Sequence, residues 1–164
     1  MDYEKIEKAL HKIASPTALI GSRKNDTHDL ATVSWFVQES VYPPQIVVNV
    51  AKNRFIYSIL DETKEFMISI LPEGTEKWAD LCGHTSGRDI DKVQALDIKT
   101  KIAEVINVPK IDGAVANIEC RVADMFESGD HILVIGTVVA AEFDDSKRPI
   151  VSFDGEYNKI ALNH

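Results

Sequence analysis

Three short clusters in this chain carry residue types suited to holding an anion or a flat aromatic ring. Asp29 to Val50 reads as strand, turn, strand, with Thr32, Val33, Ser34 and Trp35 on the first strand. The exposed main-chain amides of such a strand are donors for a flat, polar ring, and the Trp35 indole is a surface to border it. The competing reading is a core strand with a buried Trp. After the second strand comes Lys52-Asn53-Arg54, at the opening of a short predicted helix, with Ser58 one turn on. A guanidinium next to the free amides of a helix start makes an anion site. A surface Arg paired with a carboxylate is the alternative, because Asp and Glu outnumber Lys and Arg by 26 to 18. Ser86-Gly87-Arg88 is a second anion candidate: Gly87 permits close backbone approach, and its neighbours supply donors. Against that stands a loop in which Arg88 pairs with Asp89, Asp91 or Glu76; Lys92 carries the same ambiguity. His131 follows Gly129-Asp130 at a hairpin, where an imidazole either serves a reacting group or bonds to nearby backbone.

The elements that must position these residues follow from periodicity and turn chemistry. Residues 2–14 place Tyr3, Ile6, Leu10 and Ile13 on one helical face, with Asp2 as cap and Pro16 beyond the end. Thr17 to Gly21 is a predicted strand and Ser22 to His28 a polar loop. Leu30 to Val37 and Gln45 to Ala51 are strands around the Tyr42-Pro43-Pro44 turn. Phe55 to Asp61 reads as a helix with Phe55, Ile56, Ile59 and Leu60 inward. Phe66 to Leu71 is a strand, Thr75 to Leu81 a helix, Gly83 to Asp91 a polar loop, and Val105 to Val108 a short strand. Two long strands, Ala114 to Phe126 and Ile132 to Phe143, flank Ser128-Gly129-Asp130. A last hairpin pairs Ile150 to Phe153 with Tyr157 to Leu162 around Asp154-Gly155. No repeat or linker divides the chain, so residues 1–164 form one predicted domain. The fold class is mostly β: an antiparallel barrel, closed or nearly so, with an N-terminal helix and small inserted helices.

Composition narrows the function classes. A net charge of −8 argues against non-specific binding to nucleic acid or to an anionic membrane. An acidic chain that binds an anion needs a few well-placed cations. Cys82 and Cys120 form no C-x-x-C pair and read as two free, buried thiols, although a disulfide between them is the other possibility. The start, Met-Asp-Tyr-Glu-Lys, has no basic and apolar leader pattern, and the apolar stretch 131–141 is too short to span a bilayer. The expectation is a cytoplasmic protein. The histidines at 11, 28, 84, 131 and 164 show no metal-ligand spacing, and Walker A, G-x-S-x-G and G-x-G-x-x-G motifs are missing.

Three segments together resemble the flavin reductase-like family, whose members have the FMN-binding split β-barrel fold. They are Thr32-Val-Ser-Trp-Phe running to Tyr42-Pro43-Pro44; Asn53-Arg-Phe-Ile-Tyr-Ser58 followed by Glu65 to Leu71; and Cys82-Gly-His-Thr-Ser-Gly-Arg-Asp-Ile-Asp-Lys92, joined later by Gly129-Asp130-His131. The Cys-Gly-x-x-Ser-Gly-Arg-Asp run is similar to the small flavoredoxin-like members. The resemblance spans roughly residues 14–145. Asp29 stands where the family often has Asn, and the segment after Pro149 matches no family pattern.

What the resemblance implies is a homodimer that binds FMN near the subunit interface and takes electrons from NADH or NADPH to free flavin or another small acceptor. On that reading the amides of Thr32, Val33, Ser34 and Trp35 face the ring. Lys52, Asn53, Arg54 and Ser58 serve the phosphate. Ser86, Gly87 and Arg88 lie near flavin or nicotinamide, and His131 is the candidate catalytic residue. Two other functions stay open: a flavoredoxin-like electron carrier reduced by a partner protein, and a barrel that works as a binding module without cofactor.

Overall fold

The computed structural model describes residues 1–161. Four helices and twelve strands follow one another as α1 (Tyr3–Leu10), β1 (Ser15–Pro16), β2 (Ala18–Lys24), β3 (Thr27–Val33), β4 (Phe36–Ser40), β5 (Gln45–Ala51), α2 (Phe55–Thr63), β6 (Glu65–Ile70), α3 (Glu76–His84), α4 (Lys92–Ala95), β7 (Thr100–Lys101), β8 (Lys110–Ile111), β9 (Ala116–Ser128), β10 (His131–Phe143), β11 (Ile150–Phe153) and β12 (Glu156–Lys159). Seven strands form one antiparallel sheet in the order β3-β2-β6-β9-β10-β5-β4. This is the split-barrel arrangement: the sheet does not close, and its two edges, β3 and β4, are consecutive in the chain. Ser34 and Trp35 carry the chain from one edge to the other, and the Trp35 carbonyl accepts the Asn49 N–H at 2.9 Å.

Alternation decides which residues face inward. On β5, Ile46, Val48 and Val50 are buried between half-exposed neighbours. On β10, Ile132 and Val134 lie opposite Val50 and Val48 and share their side of the sheet. Val48, Val50, Ile132 and Val134 meet Ala18, Ile20, Ala31, Val33 and the Phe66 ring, and α2 closes that core with Ile56 and Leu60. The α2 sequence places Ile56, Ile59 and Leu60 at the spacing of one helical face. The helix stops at Lys64, whose backbone is left-handed (φ 56) and whose N–H returns to the Leu60 carbonyl. A second core lies on the outer side of β2 and β3, where Leu19 and Leu30 pack with Ala79 and Cys82 of α3 and with Ile98 and Ile111.

Several expected boundaries move. Ser22 to His28 is not a loop: β2 runs to Lys24, Asn25 turns with φ 53, and β3 starts at Thr27. Leu30 to Val37 is not one strand, because the crossing at Ser34-Trp35 interrupts it. Gly83 and His84 belong to α3. Val105 to Val108 forms no strand, since the amides of Glu104, Val105 and Ile106 all point to the Glu119 carboxylate, at 2.7, 2.7 and 3.1 Å. The apolar face of α1 forms behind the expected Asp2 cap, yet the helix has no buried residue. Of the final hairpin, Leu162 lies outside the described residues. Among those described, no helix is long and apolar enough to cross a membrane. No group of three or more metal-ligating side chains occurs among them either.

Candidate functional site

Two adjoining cavities share Ala51, Arg54 and His131 as wall. The larger, about 860 Å³, lies where the end of β5, the start of α2, the loop 85–91 and the β9–β10 turn converge. The smaller, about 200 Å³, is a slot along the β3–β4 crossing, lined by Thr32, Val33, Ser34 and Trp35.

Arg54 is the N-cap residue of α2, extended at φ −74 and ψ 139, and no side chain caps the helix. No acidic residue occupies the first turn, and the Tyr57 N–H turns back to the Arg54 carbonyl, so the Phe55 and Ile56 amides are left to give the helix start its positive field. The guanidinium donates to the Gly83 carbonyl of α3, which fixes its direction with one of its five donors. Lys52 and Asn53 line the same cavity. Lys52 pairs with Glu127 at 2.9 Å, and that hydrogen bond holds the Glu127 carboxyl below the usual carboxylate range. Ser86 is also in the wall, joined by Thr85, His84, Asp89 and Ile90.

The slot end is built from an edge strand. β3 pairs on one side only, with β2, so alternate main-chain groups on its other side have no strand partner. The Thr32 hydroxyl is committed to the Ala79 carbonyl of α3, which leaves Thr32 its main chain to offer. Trp35 is 62% exposed, so the buried-core reading of this indole does not hold. His131 begins β10 with its ring against Trp35, and its Nδ1 lies 2.7 Å from Asp130 Oδ1. The hydrogen bond to His131 holds the Asp130 carboxyl low.

Three of the residues singled out in the sequence stand outside both walls. Ser58 turns its hydroxyl back to the Phe55 carbonyl at 2.7 Å. Gly87 packs under the loop against Asp29: a Cβ there would lie 2.4 Å from Asp29 Oδ1 and 3.0 Å from the Phe55 ring. Arg88 lies over that ring, its guanidinium carbon 4.6 Å from the centroid. Gly87 and Arg88 thus pack the loop onto Asp29 and Phe55, while Ser58 stays within α2. Conversely, Ala51, Asn49, Asp29, Phe55, His84, Thr85, Asp89, Ile90 and Asp130 line the cavities without having been chosen as site residues. For Ala51, Thr85 and Asp130, adjacency in sequence to Lys52, Ser86 and His131 was the available signal.

Neither cysteine is poised as a thiolate. Burial pushes the Cys82 and Cys120 thiols up to about 12, and both are free.

Residues 10–161 match the model of the flavin reductase like domain. The chain belongs to this family. The match includes the final hairpin, where the sequence alone showed no family pattern. The reductase component of a 4-hydroxyphenylacetate 3-monooxygenase from Thermus thermophilus is 24% identical over 157 residues, covering 96% of each chain. An NADH-dependent FAD reductase from Streptomyces globisporus is 28% identical over 131 residues, covering 79% of this chain and 71% of the relative. The structure of an NADH:FAD oxidoreductase from Streptomyces globisporus superposes with a TM-score of 0.90 at 22% identity, covering 98% of this chain and 95% of the other. That superposition establishes a shared fold.

Proposed function

We propose that this protein is an FMN-binding oxidoreductase that takes electrons from NADH or NADPH and passes them through flavin to free flavin or another small acceptor. One observation carries this reading: Arg54 and His131 belong to both cavities, so an anion-binding end runs on into a slot lined by an edge strand. Family membership supports it. So do two relatives, one named as an NADH-dependent FAD reductase and the other, from Thermus thermophilus, as an FMN-binding protein.

The donor set fits the group. A phosphate dianion in an acidic protein needs local cations and amides, and Arg54, Ser86 and the uncapped start of α2 supply them. A ring with carbonyl oxygens and ring nitrogens needs main-chain donors, and the free side of β3 supplies those. Bound flavin would supply hydride acceptance from nicotinamide and its onward delivery. His131, steadied by Asp130, borders that end of the site and orients the nicotinamide; direct hydride transfer asks for no obligatory acid or base. Trp35, Val37, Val41 and Tyr42 are exposed along the β4 edge, a surface suited to the second copy of a homodimer.

The test is spectroscopic. FMN added to the purified protein should bind with a shift of the flavin bands, and stopped-flow mixing with NADH or NADPH should bleach them. Binding without bleaching by either nucleotide would move the protein to the electron-carrier class. A protein indifferent to FMN would end the reading.

A further inference from the structure

A buried ion pair forms part of the floor of the larger cavity. Lys92 Nζ lies 2.9 Å from Asp29 Oδ1, with the two side chains 3% and 2% exposed. Lys92 also donates to the Leu30 carbonyl, and Asp29 Oδ1 accepts the Leu30 N–H at 2.8 Å. Gly87 lies beside the carboxylate, where an added Cβ would come within 2.4 Å of Oδ1. The pair sits in the same wall as Arg54 and Ser86.

The formal charges of this wall balance. Lys52, Arg54 and Lys92 are the cations; Asp29, Asp89 and Asp130 are the carboxylates. Lys52 is paired with Glu127, Lys92 with Asp29, and Asp130 with His131. Arg54 bonds only to a neutral carbonyl, so among the described residues it is the cation of this wall that no carboxylate answers. An anion in the cavity therefore meets one unanswered guanidinium, the Asp89 carboxylate that no cation answers, and, at Lys92, a dipole. The field of a dipole falls off faster than that of a charge, and at low dielectric the difference is large.

We infer that Asp29 sets how tightly this site holds an anion. By cancelling Lys92 it weakens the hold on the FMN phosphate and makes the flavin an exchanging ligand, not a permanently held one. The inference rests on the flavin-binding reading above.

The experiment is a titration of the full chain with FMN and with riboflavin, which lacks the phosphate, at low salt. Asp29→Asn keeps the shape and an acceptor oxygen for Lys92 while removing the charge. FMN affinity should rise by about ten-fold or more with slower dissociation, and riboflavin affinity should stay within about two-fold. A merely structural role of the pair would move both ligands together; that result, or an unchanged FMN affinity, overturns the inference. Should Asp29→Asn fail to fold, the double substitution Asp29→Asn with Lys92→Met, which leaves no buried charge, reads the same claim. It should bind FMN within about three-fold of the natural chain, and a loss of about ten-fold or more would show that Lys92 acts as an uncancelled cation. If the natural chain binds neither FMN nor riboflavin, the flavin reading itself has failed. If it binds both and the variants change nothing, only the role of Asp29 has.

Discussion

The Trp35 and His131 rings lie with centroids 4.9 Å apart and planes tilted by 42°. They come from different ends of the sheet's neighbourhood: Trp35 from the crossing between the edges, His131 from the start of an interior strand. Their contact fixes the mouth of the slot. His131→Gln should therefore disturb positioning more than chemistry. Turnover with NADH should fall by less than about ten-fold, whereas loss of a true acid–base group costs about 10²–10⁴-fold. Steady-state kinetics separates the two. A loss in the upper range would make the imidazole an obligatory proton donor.

Arg54→Ala should cost about 1.5–3 kcal/mol of FMN binding, or roughly 10- to 150-fold in affinity, the range for a charge-assisted hydrogen bond. Riboflavin binding should hardly change. Calorimetric titration with both flavins checks this. Equal losses would mean that the guanidinium holds the structure through Gly83 and not the phosphate.

Gly87→Ala should destabilise the protein by about 1–3 kcal/mol, because the added methyl group meets a carboxylate that its own ion pair holds in place. Urea denaturation would measure the loss. A neutral result would show that the loop 85–91 yields readily.

Glu119 predicts an acid limit on stability. Burial pushes its carboxyl up, but the amides of Glu104, Val105 and Ile106 together outweigh that and hold it below its ordinary value of 4.5. Its contribution is thus fully present above the unfolded value and is lost as pH falls through the folded one. Glu119→Gln should cost about 3 kcal/mol at neutral pH and flatten the stability–pH curve below about 4.5. Denaturation midpoints measured from pH 3 to 7 would show it. Parallel curves for the two proteins would count against this account.

The sequence located what depends on local chemistry. Gln45 to Ala51 matches β5 at both ends, since strict alternation behind a Pro-Pro turn permits little else. Phe55, Ile56, Ile59 and Leu60 marked α2, and Lys52, Asn53, Arg54 and Ser86, proposed for an anion, fall in one cavity wall. What depends on distant partners was hidden. Nothing in Ser34-Trp35 signals a break; the chain leaves its strand there because the sheet's opposite edge is within reach. Val105 to Val108 has the composition of a strand, but a carboxylate from β9 takes its first amides. The tie between Asp29 and Lys92 spans a hairpin, two helices and a strand, so neither residue announced the other. Gly136 is a similar case: it lies mid-strand under Phe66, whose ring would come within 2.3 Å of an added Cβ.

The walls of the slot belong to strands that stand near opposite ends of the sheet order, β3 on one side and β5 on the other. No backbone ladder ties those two borders together along their length. Any occupant touching both would thus act as a clasp across an open seam, and its departure would loosen the rim before the interior. Protection of the Thr32 amide from exchange with solvent would then report occupancy directly, while the amides of β6 and β9, deep in the sheet, would answer only to unfolding of the whole.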